Sequence, residues 1–185
     1  MTQQRTIQYG FNLNGAGLPA TLAINGIPAS GVVQKAFVWY SVSYTEPAAP
    51  NSTVTITNPI NQTGSYGSAT IGADIGKCWS AFGEVGSAAY RADVTNIVTG
   101  NGNYTVNISG ILQPDSMIDG VTLMVVYADI SAAYKGNLIV YDGIRTGAGN
   151  LFNDTIKGLN VCDTSRFANG FTIVSDMQEN VLPTH

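Results

Sequence analysis

"GVTLMVVYADISAAYKGNLIVYDG", residues 120–143, is the stretch on which the fold turns. Two apolar segments rich in Val, Ile, Leu and Tyr flank a short polar bridge. The first, Val121–Tyr127, is apolar at nearly every position. A half-wet strand alternates apolar and polar residues, so a continuous run predicts a strand covered on both faces. Such a strand belongs mid-sheet, beneath a loop, a helical turn near residue 93 or a neighbouring subunit. The second segment, Leu138–Tyr141, predicts another core strand. Each segment ends on Tyr with an Asp close behind, Tyr127 then Asp129 and Tyr141 then Asp142. These acids mark either the lip of a site or the ends of strands.

Working outward, period-two alternation recurs and no long helical period does. In "TIQYGFNLN" (6–14) Ile7, Tyr9, Phe11 and Leu13 share one face. "ATLAI" (20–24) reads as a short strand before the turn dipeptide Asn25–Gly26. "GVVQKAFVWYSVSY" (31–44) is the longest strand candidate, with aromatic and β-branched residues that suit a pleated surface. "STVTITN" (52–58) alternates again, and "NGNYTVNISG" (101–110) reads as turn then strand. "FTIVSD" (171–176) is a further strand candidate. "AAYRADVTNIV" (88–98) is the most helix-like stretch, good for about one or two turns. The expectation is an all-β fold over residues 1–185: one two-sheet sandwich, jelly-roll-like, with about eight to ten strands and at most one short helix.

Composition narrows the class. The chain is 44% hydrophobic but 11% charged, against about 25% charged in typical soluble domains. Its solubility rests on Asn, Thr, Ser, Gln and Gly, a balance common in extracellular and virion β-proteins. Net charge is −4 with the basic residues scattered singly, so no stripe of phosphate contacts exists and nucleic acid is not expected as a partner. No apolar run approaches the roughly 20 residues needed to cross a bilayer as a helix, so membrane insertion is not expected. The polar start "MTQQRTIQYG" has no signal-peptide character.

Three stretches then fall together: "KAFVWYSVSY" (35–44), "YRADVTNIVTGNGNYTV" (90–106) and the opening 120–143. In this order and spacing they resemble a family of secreted β-rich surface domains, mostly uncharacterised, of bacterial and archaeal envelope proteins. The shared pattern is a strand ending in Tyr-Trp (inverted here, Trp39–Tyr40), Asp-Val-Thr, Leu-x-Val-Val-Tyr and Tyr-Asp-Gly. The likeness runs over roughly residues 30 to 145 and implies an extracellular setting, beside adhesin-like modules. It brings no catalytic residues with it.

Chemistry is sparsely provided. The only His is His185, so neither a Ser–His–Asp nor a Cys–His arrangement has a placed base. Cys78 and Cys162 cannot make a four-ligand zinc site; they read as a disulfide pair or as two small buried residues. Asp93, Asp129 and Asp142 are the best-placed acids for glycosidase work, yet Asp serves turns and caps equally well. Calcium suits such acids and the Asp115/Asp119 pair, although no EF-hand-type loop is present. Tyr66 in "GSYGS" and Tyr134 in "AAYKG" fall in predicted loops and are the candidate ligand contacts. Five Asn-X-Ser/Thr motifs occur, at Asn51, Asn61, Asn103, Asn107 and Asn153, and mark surface-facing segments.

The functional expectation is a non-enzymatic structural or interaction protein of an exposed surface. It is either a virion or filament subunit or decoration, or an envelope adhesin domain, acting as a homo-oligomer or within a larger assembly. A carbohydrate-binding module with glycan partners and calcium as its ion is the alternative, and a glycosidase the third reading. No other cofactor is expected.

Overall fold

A computed structural model of the chain describes residues 2–8, 18–74, 85–111, 116–132 and 138–144, with 155 and 157. Nine strands run among these described residues: β1 (Thr2–Gln8), β2 (Ala20–Ile24), β3 (Gly31–Tyr44), β4 (Thr53–Thr57), β5 (Thr63–Gly67), β6 (Ala69–Asp74), β7 (Gly86–Asp93), β8 (Gly102–Ser109) and β9 (Ser116–Asp129). No helix occurs among the described residues. The strands form two antiparallel sheets, ordered β1-β9-β3-β7-β6 and β2-β8-β4-β5. The pairings are nested: β1 with β9, β2 with β8, β3 with β7, β4 with β5.

One core lies between the sheets. From the four-stranded sheet come Leu22, Ile24, Val54, Ile56, Tyr104 and Val106, all fully buried. Their sequence neighbours Thr21, Thr53, Thr55, Thr57 and Thr105 point outward, as alternation requires. From the five-stranded sheet, Val38, Tyr40 and Val42 of β3 meet Ala88, Tyr90 and Ala92 of β7, with Leu123 and Val125 of β9 beside them. Each buried aliphatic side chain contributes about 1.5–3 kcal/mol.

Tyr40 and Tyr90 stack with ring centroids 5.1 Å apart and 7° between planes. Their hydroxyls tie the five-stranded sheet to the segment entering β4: Tyr40 donates to Ser52 Oγ at 2.6 Å and Tyr90 to the Pro50 carbonyl at 2.7 Å. Burial raises both phenols, Tyr90 to about 12, helped there by the adjacent Tyr40.

β9 answers the opening question. It lies mid-sheet, between β1 and β3. Val121, Leu123, Val125 and Tyr127 face the core, while Thr122, Met124 and Val126 face the other way and are buried too. Their cover includes the second half of the quoted stretch. Residues 138–141, expected as a core strand, carry no strand, and neither do 142–144. Both edges of β9 are already paired, so this apolar segment cannot join the ladder there and packs by its side chains across the outer face.

Two further expectations need correction. Residues 88–93 are strand, and the chain turns only at 95–97, where Ile97 N–H donates to the Val94 carbonyl at 3.1 Å. Helix preference among ordinary residues spans only about 0.7 kcal/mol per residue, less than pairing with β3 and burying Tyr90 contribute. The first strand begins at Thr2 rather than at residue 6, with pairing that carries Thr2 to Tyr127 and Gln8 to Val121; residues 9–14 lie outside the described set. The candidate strand 171–176 does so as well.

Two bulges tune the long β3–β9 pairing: Gln34 is extra in β3 and Asp119 in β9. The first reverses the alternation, so Val33 packs on the core while Val32 stands outward, 61% exposed.

Candidate functional site

The outer face of the five-stranded sheet brings charged and apolar side chains together. Alternation along β3 puts Lys35, Phe37 and Trp39 there. Register then aligns Phe37 with Asp93 of β7 and Met124 of β9, and Trp39 with Arg91 and Thr122. The Phe37 and Trp39 rings sit 5.3 Å apart, tilted by 54°. Arg91 and Lys35 lie 5.5 and 6.0 Å from the centre of Phe37, within range of a cation–π attraction.

The segment 138–144 crosses this face as a strap. Leu138, Ile139 and Val140 form one wall of an open cleft of about 550 Å³, with Gln34, Lys35, Phe37, Met124 and Val126 on the other. Asp142 then accepts from Arg91 in an ion pair and, at a long 3.4 Å, from Trp39 Nε1. Further on, Ile144 lies against Gly72 of β6: a Cβ at Gly72 would come within 2.9 Å of the Ile144 nitrogen. The Tyr141 hydroxyl donates to the Lys157 carbonyl.

Of the acids named from the sequence, Asp93, Asp129 and Asp142 all have partners. Asp93 Oδ1 accepts from the Thr95 hydroxyl and, at 3.0 Å, from the Thr95 backbone N–H; its Oδ2 pairs with Lys35 at 3.1 Å. These bonds, the Thr95 hydroxyl first, hold its carboxyl below the usual range. Asp129 accepts from the Ser131 hydroxyl (2.7 Å), the Ser131 N–H (2.9 Å) and the Ser30 hydroxyl (2.8 Å), which lower its carboxyl in the same way. Asp93 and Asp142 share the outer face. Asp129 pairs with Gly31, six positions along β3 from Phe37 and so about 20 Å away. The structure therefore does not bring all three acids to one point. Among the described residues, no group of three or more His, Cys, Asp or Glu comes together as a metal site.

Tyr66 is not in a loop. It belongs to β5, pairs with Val54, is half-buried and packs against the core. Its ring folds over Gly64, where a Cβ would meet it at 2.7 Å. Tyr134, Cys78, Cys162 and Asp115 lie outside the described residues.

Sequence reasoning missed Arg91 and the Phe37–Trp39 pair as parts of one site. The alternation of "KAFVW" does put Lys35, Phe37 and Trp39 on one face, but only the β3–β7 register shows which cation meets them. Comparison with protein-family models, with curated proteins and with solved structures found no match.

Proposed function

We propose that this chain is a non-enzymatic building block of an exposed surface, joined to its neighbours through the strap-bearing face of the five-stranded sheet. One observation carries this. Of the seven large exposed apolar side chains among the described residues, five lie on the strap or at the adjoining ends of β3 and β9: Val32, Ile130, Ile139, Val140 and Tyr141. Ile130 is 92% exposed. Apolar groups concentrated this way mark protein contacts more often than solvent boundaries.

The nested strand order supports a jelly-roll reading of the sandwich, an architecture that packs readily into shells and filaments. The engaged state of Asp93, Asp129 and Asp142 supports a structural role for each over acid–base work. The assembly is a virion or filament, or a cell envelope as the family resemblance implies, and its setting is extracellular.

Sedimentation velocity across a wide concentration range tests the proposal. Association that strengthens with concentration is expected, and the double change Ile139→Asp and Val140→Asp should weaken it at least tenfold. A wild-type chain that stays monomeric at the highest concentration, and attaches to no particle, ends it.

A further inference from the structure

The opposite face of the molecule is of another kind. The strands β2, β4, β5 and β8 contain no charged residue. Four of the Asn-X-Ser/Thr motifs fall within the described residues, and all four asparagines lie in strands of this sheet or in the segments joined to them. Asn51 leads into β4, Asn61 sits in the β4–β5 turn at φ 61°, and Asn103 and Asn107 lie in β8. All four are exposed. The strands of the five-stranded sheet contain no Asn.

Side-chain engagement separates these asparagines from Asn58 and Asn101, while the exposed Asn25 and Asn96 differ from them in lacking the motif. Asn58 and Asn101, outside such motifs, are tied at both ends of the amide. Asn58 Oδ1 accepts from Ile60 and Gln62 N–H groups (3.1 and 2.9 Å) while its Nδ2 donates to Gln62 Oε1. Asn101 accepts from Ile27 N–H at 2.9 Å and donates to its carbonyl at 2.7 Å. None of the four motif carboxamides is engaged by another described residue. In β8, period two also sets each Asn and the hydroxyl two residues on along one outward face: Asn103 with Thr105, Asn107 with Ser109.

We infer that Asn51, Asn61, Asn103 and Asn107 are acceptors for N-linked oligosaccharide, and that the four-stranded sheet is the sugar-bearing face of the protein. The donor is an oligosaccharide held on a lipid pyrophosphate, delivered by a host transferase. The carboxamide nitrogen forms a bond to the anomeric carbon, the anomeric carbon–oxygen bond to pyrophosphate breaks, the lipid pyrophosphate leaves, and the nitrogen gives up one proton. Asn103 and Asn107 stand four residues apart, about 13 Å along the strand, so two sugar chains fit side by side. This inference does not rest on the assembly face, which lies on the other sheet.

The full chain, secreted from a eukaryotic cell behind a cleavable leader, is weighed intact. It is then mapped by peptide mass after an endoglycosidase that leaves Asp at each sugar-bearing Asn. Expected are conversions at all four positions, persisting in Asn153→Gln and lost one by one in the four matching Asn→Gln variants. The glycosylated chain should keep its β-sheet circular dichroism and melt no lower than the bare chain. An unmodified chain, sugar confined to Asn153, sugar on Asn51 and Asn61 with β8 bare, or glycosylation that abolishes the β signal each overturns it.

Discussion

The two outer faces of the sandwich are built on the same inner rule and could hardly differ more outside. On the four-stranded sheet, Thr21, Thr105, Thr57 and Thr63 align across all four strands, with Thr57 and Thr63 hydroxyls 2.8 Å apart. That face is neutral, polar and uniform. On the five-stranded sheet, Phe37, Trp39, Met124 and Val126 lie among Lys35, Arg91, Asp93 and Asp142, and a strap crosses them. Alternation alone makes a face wet or dry. A third layer made from the chain's own later residues is what lets β9 stay apolar on both sides.

Changes on the two faces should therefore have unequal effects. The largest is expected at Met124, 2% exposed on the outer face: Met124→Ala should cost about 2–3 kcal/mol, as in a core. Thr105→Ala, the matched change on the other sheet, should cost less than about 0.5 kcal/mol. Urea melts of the two variants check this, and equal losses would erase the distinction between the faces.

The join between the sheets should fail in alkali. Tyr90 keeps its proton to about 12 when folded, while the unfolded phenol loses it near 10.0. The stability it contributes is thus complete below pH 10 and drains away as pH rises toward 12. Unfolding monitored through that range should shift upward in Tyr90→Phe; an unchanged midpoint would show that the phenol pair does not govern it.

A smaller effect than that at Met124 concerns the strap's anchor. Arg91→Ala removes a partly exposed ion pair and should lower stability by no more than about 1 kcal/mol, yet it should speed proteolysis within 138–144. Cleavage at the wild-type rate would mean that Leu138, Ile139 and Val140 hold the strap unaided.

Much of the sandwich was legible in the residues. β2 and β3 run over the bounds read from sequence, β4 puts Val54 and Ile56 inward as its alternation says, and the cover on both faces of β9 follows from its unbroken apolar run. The misreadings share a cause. Residues 88–93 have helix-compatible local preference but take the strand that β3 offers. Residues 138–141 have strand-compatible preference but find β9 already paired on both sides. Tyr66 looks like a loop residue among glycines, although one of them, Gly64, is what leaves room for its ring against β5. In each case the outcome depends on which partner is free, and pairing is not written locally. The site is harder still to read, because Arg91 and Asp142 are far apart in sequence and meet only through the register of β7 and the path of the strap.

The nested pairing has a consequence for how the molecule comes into being. Since β1 closes against β9, it leaves the ribosome without that mate and waits until β2 to β8 have emerged. Long-range closures of this kind are slow, so the newborn chain must hold β1 as an unmatched ribbon while the strands between it and β9 are made. A helper that shields that ribbon should raise the yield of native protein more than any substitution on the finished surface.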